Sequence, residues 1–222
     1  MRPRRPAGGD RAGSPRYNIP MTKVVELKAR GVRAELRQAH SERTLVRIWR
    51  AGLEPGSFSG YVTHLGPEFF LIWAVGDYIG FDGFYALRYR DVSNLERPDN
   101  NHGFLERAIV LKGLKPEWPE AFALDDVASL VRAAAEQRGV ISAHVDTEGE
   151  HEVCYVGRLL AFEPDGFTMQ EITPNAEWLS EPSFFGFDEV SAIAFGGPYS
   201  EALAQVAGPP PPVNPVQRES RT

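Results

Sequence analysis

The sequence predicts an α+β, mostly β fold of two repeated units, each a helix followed by a small five-stranded barrel. Three observations predict it: short β-rich runs between Gly, Pro and Asp residues, a helical stripe before each set of runs, and the same element order in both halves. The units are expected at 21–98 and 125–206, with a connector at 99–124. The ends, 1–20 and 207–222, are expected to be a disordered arm and a disordered Pro-rich tail.

The first unit opens with an imperfect helical stripe between Val24 and Gln38, which Gly31 weakens. Met21 lies just before this segment, so translation could begin there rather than at Met1. Short runs typical of strands follow the helix, and they lie at 45–49, 60–65, 69–75, 78–81, 86–89 and 92–95.

The second unit repeats this order. Asp125 or Asp126 can cap a helix, and Gly139 can end it. The apolar stripe of this helix comprises Val127, Leu130, Val131 and Ala134. Five runs typical of strands follow it, at 140–145, 154–160, 166–172, 183–187 and 190–195.

The halves align by element order and by the positions of their apolar residues. Tyr61-Val62 aligns with Tyr155-Val156, and the last two runs of each half also align. The second half is longer by a loop around Thr173–Trp178. A repeat of this length predicts a duplicated unit rather than a solenoid, which would need more copies.

A helix followed by about five short, bent strands resembles the Sm-like fold, a small member of the SH3-like barrels. The resemblance covers about 24–96 and 125–196 and depends on the closing strand pairs at 85–95 and 183–195. The chain is similar to tandem Sm-like proteins of bacteria, and this resemblance implies a fold without implying an activity.

The RNA-contacting signature of the Sm family includes an Arg-Gly pair between the last two strands. The candidate positions here read Phe81-Asp82-Gly83-Phe84 and Tyr89-Arg90-Asp91-Val92 in the first half, and Phe187-Asp188-Glu189-Val190 in the second. Neither half has the Arg-Gly pair, which argues against RNA binding. Sm-type RNA binding is for this reason not the leading function, and it is kept only as an alternative.

Composition and charge narrow the function classes. The 222 residues carry a net charge of −6, but residues 1–40 sum to +7 and residues 41–222 to −13. An acidic body repels phosphate backbones, so nucleic acid is not expected as a partner. The single cysteine, Cys154, excludes an internal disulfide and favours a cytoplasmic location. No apolar run is long enough to cross a membrane.

One segment concentrates potential metal ligands: His144, Asp146, Glu148, His151, Glu152 and Cys154. Their spacing fits no established zinc pattern and is more typical of a charged hairpin loop. Cys154 opens a predicted core strand, so we expect a buried, inert thiol. His64 and His102 are isolated in the sequence. No catalytic, cofactor-binding or metal-binding residue is assigned, and no cofactor is expected.

Aromatic residues are the one feature that favours recognition. Eleven Trp, Phe and Tyr residues lie from Trp49 to Tyr89, and those that the core of the first half cannot hold would pack the halves together or form a partner site. The sequence therefore favours a non-enzymatic binding or scaffold protein whose partner is another protein. An enzyme whose site lies between the two units is the second alternative.

Overall fold

The computed structural model describes residues 21–98, 101–119, 121–146 and 152–213, without the side chains of residues 21–29. The predicted arm at 1–20 lies outside these residues, as does the Pro-rich tail beyond residue 213. Within the described residues, no helix is long and apolar enough to cross a membrane.

Four helices and ten strands make up the described chain. The helices are α1 (Met21–Glu42), α2 (His102–Leu111), α3 (Val127–Arg138) and α4 (Pro198–Ala207). The strands are β1 (Leu45–Trp49), β2 (Ser57–Leu65), β3 (Phe69–Gly76), β4 (Gly80–Arg88), β5 (Asn94–Glu96), β6 (Ile141–Val145), β7 (Val153–Glu163), β8 (Gly166–Glu171), β9 (Ser183–Gly186) and β10 (Val190–Phe195).

All ten strands belong to one open antiparallel sheet in the order β5-β1-β2-β3-β4-β10-β6-β7-β8-β9. The predicted fold of two separate helix-plus-barrel units is therefore wrong. The prediction fails because the free edge of β4 pairs with β10 of the other half, so that the two sets of strands continue into each other. Backbone groups along a strand edge can pair with any other edge, and the sequence pattern does not specify which.

The pairing of β4 with β10 joins the halves over four residue pairs, from Ala192↔Leu87 to Phe195↔Phe84. Gly83 permits this close approach. Its φ is +86°, and a Cβ there would lie 2.6 Å from the nitrogen of Gly197 and 2.7 Å from the carbonyl oxygen of Phe195. Both contacts are with backbone, which cannot move aside as a flexible side chain can.

The two predicted helices, between Val24 and Gln38 and after Asp126, are confirmed as α1 and α3. Asp126 accepts a hydrogen bond from the Ser129 nitrogen in a capping box, and Gly139, with φ 74°, is the C-cap of α3. Helices α2 and α4 were not predicted, because one lies in the expected connector and the other beyond the last run. The predicted runs at 78–81 and 86–89 belong largely to one strand, β4.

Apolar side chains fill both faces of the sheet. One core contains α3 and the aromatic side chains of both halves. Phe84 of β4 stacks on Trp73 at 5.5 Å and on Phe195 of β10 at 5.3 Å. The other core lies beneath α1 and includes Leu36, Ile72 and Ala192. Several aromatic residues of the first half thus pack the halves together, and Tyr78 remains exposed.

We expect Gly83→Ala to lower the free energy of unfolding by about 2 kcal/mol or more beyond the loss in Gly113→Ala. Gly113 is the matched control, since its φ is also positive, at 68°, but a Cβ there meets nothing within 4 Å. The difference between the stability losses of the two variants measures the backbone clash at the junction of β4 and β10. Urea unfolding measures it, and equal losses in the two variants would contradict this pairing.

Candidate functional site

A fully buried arginine holds the two halves together beside the junction of the sheet. Arg50 directly follows β1, and its guanidinium has no exposed surface. Its Nε donates to Glu54 Oε1 at 2.9 Å, and Nη1 donates to the carbonyl of Ser191 at 3.3 Å. Its Nη2 donates to the carboxylate of Glu152, from the other half. A buried charge is stable only when it is paired in this way.

Glu152 is the centre of this polar cluster. Its side chain is 5% exposed and accepts hydrogen bonds from Arg50, the Ser191 hydroxyl and Nδ1 of His144, the last at 2.9 Å. Its backbone nitrogen donates to the Leu53 carbonyl at 3.0 Å. Burial by itself would raise the pKa of Glu152, but the hydrogen bond and charge of His144 and the charge of Arg50 lower it below its ordinary value.

His144 and Cys154 are direct cross-strand partners on β6 and β7, so their side chains lie on the same face of the sheet. The imidazole is 15% exposed and hydrogen-bonds Glu152 through Nδ1 at 2.9 Å. Burial opposes protonation of this ring, yet the effects of neighbouring Cys154 and Glu152 outweigh burial and raise the pKa of His144. A buried carboxylate and the imidazole that it holds therefore lie beside Cys154 on one face of the sheet.

Cys154 is exposed, so the prediction of a buried thiol is wrong. Helix α4 covers the same face two residues farther along β7, where Leu203 packs with Val156 and Ile172. The helix does not bury Cys154. The Cys154 thiol therefore lies at the surface, beside the largely buried imidazole of His144.

Cys154 lines a cleft of about 430 Å³ between the sheet, the loop at 173–179 and α4. The walls are mostly apolar and include Ile172, Pro174 and Leu203. Leu179 and Tyr199 line the cleft with 38% and 63% of their surfaces exposed. The cleft has the concave, apolar form of a binding site with a reactive side chain on one wall.

The structure brings together only part of the predicted ligand cluster. His144 hydrogen-bonds Glu152 and pairs with Cys154 across β6 and β7, whereas Glu148 and His151 lie outside the described residues. Asp146 is exposed, and its backbone nitrogen donates to the Glu189 carbonyl. In the described part of the chain, no group of three or more His, Cys, Asp or Glu residues is arranged to hold a metal ion.

The other singled-out residues lie elsewhere. His64 is partly buried, and burial, with a smaller effect of His40, lowers its pKa. His102 is buried at the start of α2. In the turn between β3 and β4, the Tyr78 ring covers Gly76 and Gly80, so that a Cβ at either glycine would meet it. These glycines therefore serve a tight turn.

Sequence reasoning missed Arg50, Glu54 and Ser191. Arg50 lies 102 residues from Glu152 and 141 from Ser191, and none of the three belongs to a local motif. The only available signal was the charge of Arg50 immediately after an apolar strand, and charged residues there are common.

No protein-family model matches this chain, and comparison with curated proteins finds no significant match.

We expect Arg50→Met to lower the free energy of unfolding by about 3–5 kcal/mol, because it leaves Glu152 buried without its cation. Arg90→Met is the matched control, since Arg90 is 60% exposed and pairs with Asp91 at 3.6 Å. The control is expected to lose less than about 1 kcal/mol. Urea unfolding at pH 7 compares the two, and a small loss in Arg50→Met would show that the cluster does not hold the halves together.

We expect stability to fall with rising pH because of His144. A group whose pKa is raised in the folded state stabilises fully below its unfolded value of 6.5, and this contribution is lost as pH rises through the folded value. The free energy of unfolding should therefore decline more steeply above about pH 6.5 in the wild type than in His144→Gln. Denaturant titrations from pH 6 to pH 9 test this, and parallel curves would contradict it.

Proposed function

We propose that this protein is a binding protein that holds an apolar segment of a protein partner in the cleft beside Cys154. The observation that carries the proposal is the cleft itself, where exposed Leu179 and Tyr199 lie over apolar walls. An exposed tyrosine beside an apolar pocket is a typical contact residue, since it adds area at a low cost in conformational entropy.

Charge indicates the chemistry of the partner. Glu171 lines the cleft, and Glu177 lies exposed in the loop at 173–179. Residues 41–222 carry a net charge of −13. We therefore infer a partner segment in which an apolar side chain is flanked by Lys or Arg. The same charge disfavours nucleic acid, whose phosphates it would repel.

We also infer that the two halves arose by internal duplication. In support, the strand order β5-β1-β2-β3-β4 of the first half is followed in the sheet by the corresponding order β10-β6-β7-β8-β9. The halves now differ in their chemistry, because the cleft and the thiol belong to the second half alone. An exposed free thiol is compatible with a reducing compartment, and we propose a cytoplasmic location on that ground.

The test is affinity purification of the tagged full chain from its host, with nuclease, at low and moderate salt. We expect the wild type to recover a protein partner. The double variant Leu179→Ala/Tyr199→Ala should recover this partner at least about tenfold less well than the wild type, because a contact worth 1.4 kcal/mol changes affinity tenfold. Moderate salt should weaken recovery, since exposed charges are screened.

The matched control is Val206→Ala. Val206 lies on the same helix as Tyr199 and is 77% exposed, but it does not line the cleft. This variant should retain the partner fully. Equal loss in both variants would place the binding surface elsewhere, and recovery of RNA in place of protein would instead favour the Sm-type alternative.

A further inference from the structure

We propose that the second half carries a binding site for a proline-rich segment, and that the chain's own residues 208–213 occupy this site in the structure. The site consists of Arg158, Gln170 and Trp178, whose side chains all donate hydrogen bonds to carbonyl oxygens of this segment. None of the three lines the cleft beside Cys154. The proposal therefore goes beyond partner binding in the cleft and does not rest on it.

Residues 208–213, the proline segment, directly follow α4. Gly208 is the C-cap of this helix, and its φ of 68° turns the chain out of the helix. The next four residues are prolines, whose rings fix φ at about −65° and favour the polyproline II helix, with about three residues per turn. Pro210 and Val213 lie three positions apart and are half-buried, whereas the other prolines of the segment are exposed. This spacing indicates that one edge of a polyproline II helix faces the sheet.

The site offers hydrogen-bond donors to a segment that can only accept. Proline has no N–H group, so a run of prolines presents carbonyl oxygens and no backbone donor. Trp178 Nε1 donates to the carbonyl of Gly208 at 3.0 Å. Gln170 Nε2 and Arg158 Nη2 donate to the carbonyl of Pro211 at 3.4 and 3.5 Å. The three donors therefore match the acceptors of a proline-rich segment.

The fold itself holds these donors in place. Gln170 is fully buried, and its Oε1 accepts from Arg158 Nε at 2.9 Å, which orients the amide so that Nε2 is free to donate. The same Nε2 also donates to the Leu179 carbonyl at 2.9 Å. Arg158 and Gln170 are cross-strand partners on β7 and β8, and the Trp178 ring packs against the core beneath α4. Donors that are already ordered lower the entropic cost of binding.

The contacts of the proline segment are those of a ligand that can exchange. Both bonds to Pro211 are long, and most of the prolines are exposed. A tethered segment needs only such weak contacts, because its effective concentration at a nearby site is on the order of millimolar. A proline-rich segment of a partner protein would make the same contacts, and its polyproline II helix is formed before it binds. The chain's own segment thus acts as a competitor that the partner must displace.

The experiment is an NMR titration of the full-length protein with a blocked synthetic peptide, Gly-Pro-Pro-Pro-Pro-Val, which has the sequence of the proline segment. The readout is the indole N–H signal of Trp178, which Trp178→Phe identifies by removing it. The chain is used as the wild type and as a released variant, Pro209→Ser/Pro210→Gly/Pro211→Ser/Pro212→Gly. Serine and glycine make the segment a flexible coil of unchanged length, so it should leave the site.

We expect the Trp178 signal to move in the released variant, because its hydrogen bond to Gly208 is lost, and to return as the peptide binds. Half-saturation should need at least about tenfold less peptide in the released variant than in the wild type, where the tethered segment competes. A peptide in which alanine replaces the four prolines should bind at least about tenfold more weakly, because it must be ordered on binding. The wild type should sediment as a monomer, since the segment occupies a site of its own chain.

Arg158→Met, made in the released variant, should weaken peptide binding about threefold or more, because one hydrogen bond contributes this much. The matched control is Arg132→Met. Both guanidinium groups lie over an aromatic ring of the second half, at 6.0 Å from Trp178 and 4.7 Å from Phe162 respectively. Arg132 belongs to α3, which packs on the opposite face of the sheet, so its variant should bind the peptide like the released variant.

Three results in the titrations would overturn the proposal: equal half-saturation in wild type and released variant, equal binding of the two peptides, or equal losses in Arg158→Met and Arg132→Met. A wild-type dimer that the released variant dissolves would also overturn it, because the segment would then occupy a second copy. If Arg158→Met fails to fold, the comparison of the two peptides on the released variant still decides. Cleft variants are measured separately by partner recovery, so failure of one proposal leaves the other distinguishable.

Discussion

The hydrogen-bonded pairing of β4 with β10 is the constraint on which the rest of this structure depends. It converts two sets of five strands into one sheet, and it places β6 and β7 next to the first half. Leu87, Ala192, His144 and Cys154 then lie side by side across four strands. Without this pairing, the turn after β1 would not reach the start of β7.

Two buried arginines stabilise the same junction by different means. Arg50 forms ion pairs with Glu54 and Glu152, and Arg88 donates to the carbonyl oxygens of Phe187 and Asp188 at 2.8 and 3.1 Å. Removing an arginine from water is costly, so each must be almost fully paired. These polar contacts join the halves with a specific geometry, while the stacked Phe84 and Phe195 contribute the apolar area.

The two halves differ in what they add to the shared sheet. Both contribute strands to the sheet in the same order, but only the second half places helix α4 against its sheet to form the cleft with Cys154. The first half instead supplies Arg50, which holds the carboxylate beneath His144. Residues of both halves therefore determine the environment of the cleft wall that carries Cys154.

The sequence by itself determined the local elements. Alternating apolar residues marked most strands, and Asp126 and Gly139 marked the ends of α3, because capping and pleating depend on residues a few positions apart. Only the tertiary structure decided that β4 pairs with β10, that Arg50 meets Glu152, and that Cys154 stays exposed. Backbone edges carry no side-chain code, and a contact between residues 102 positions apart depends on the path of the whole sheet.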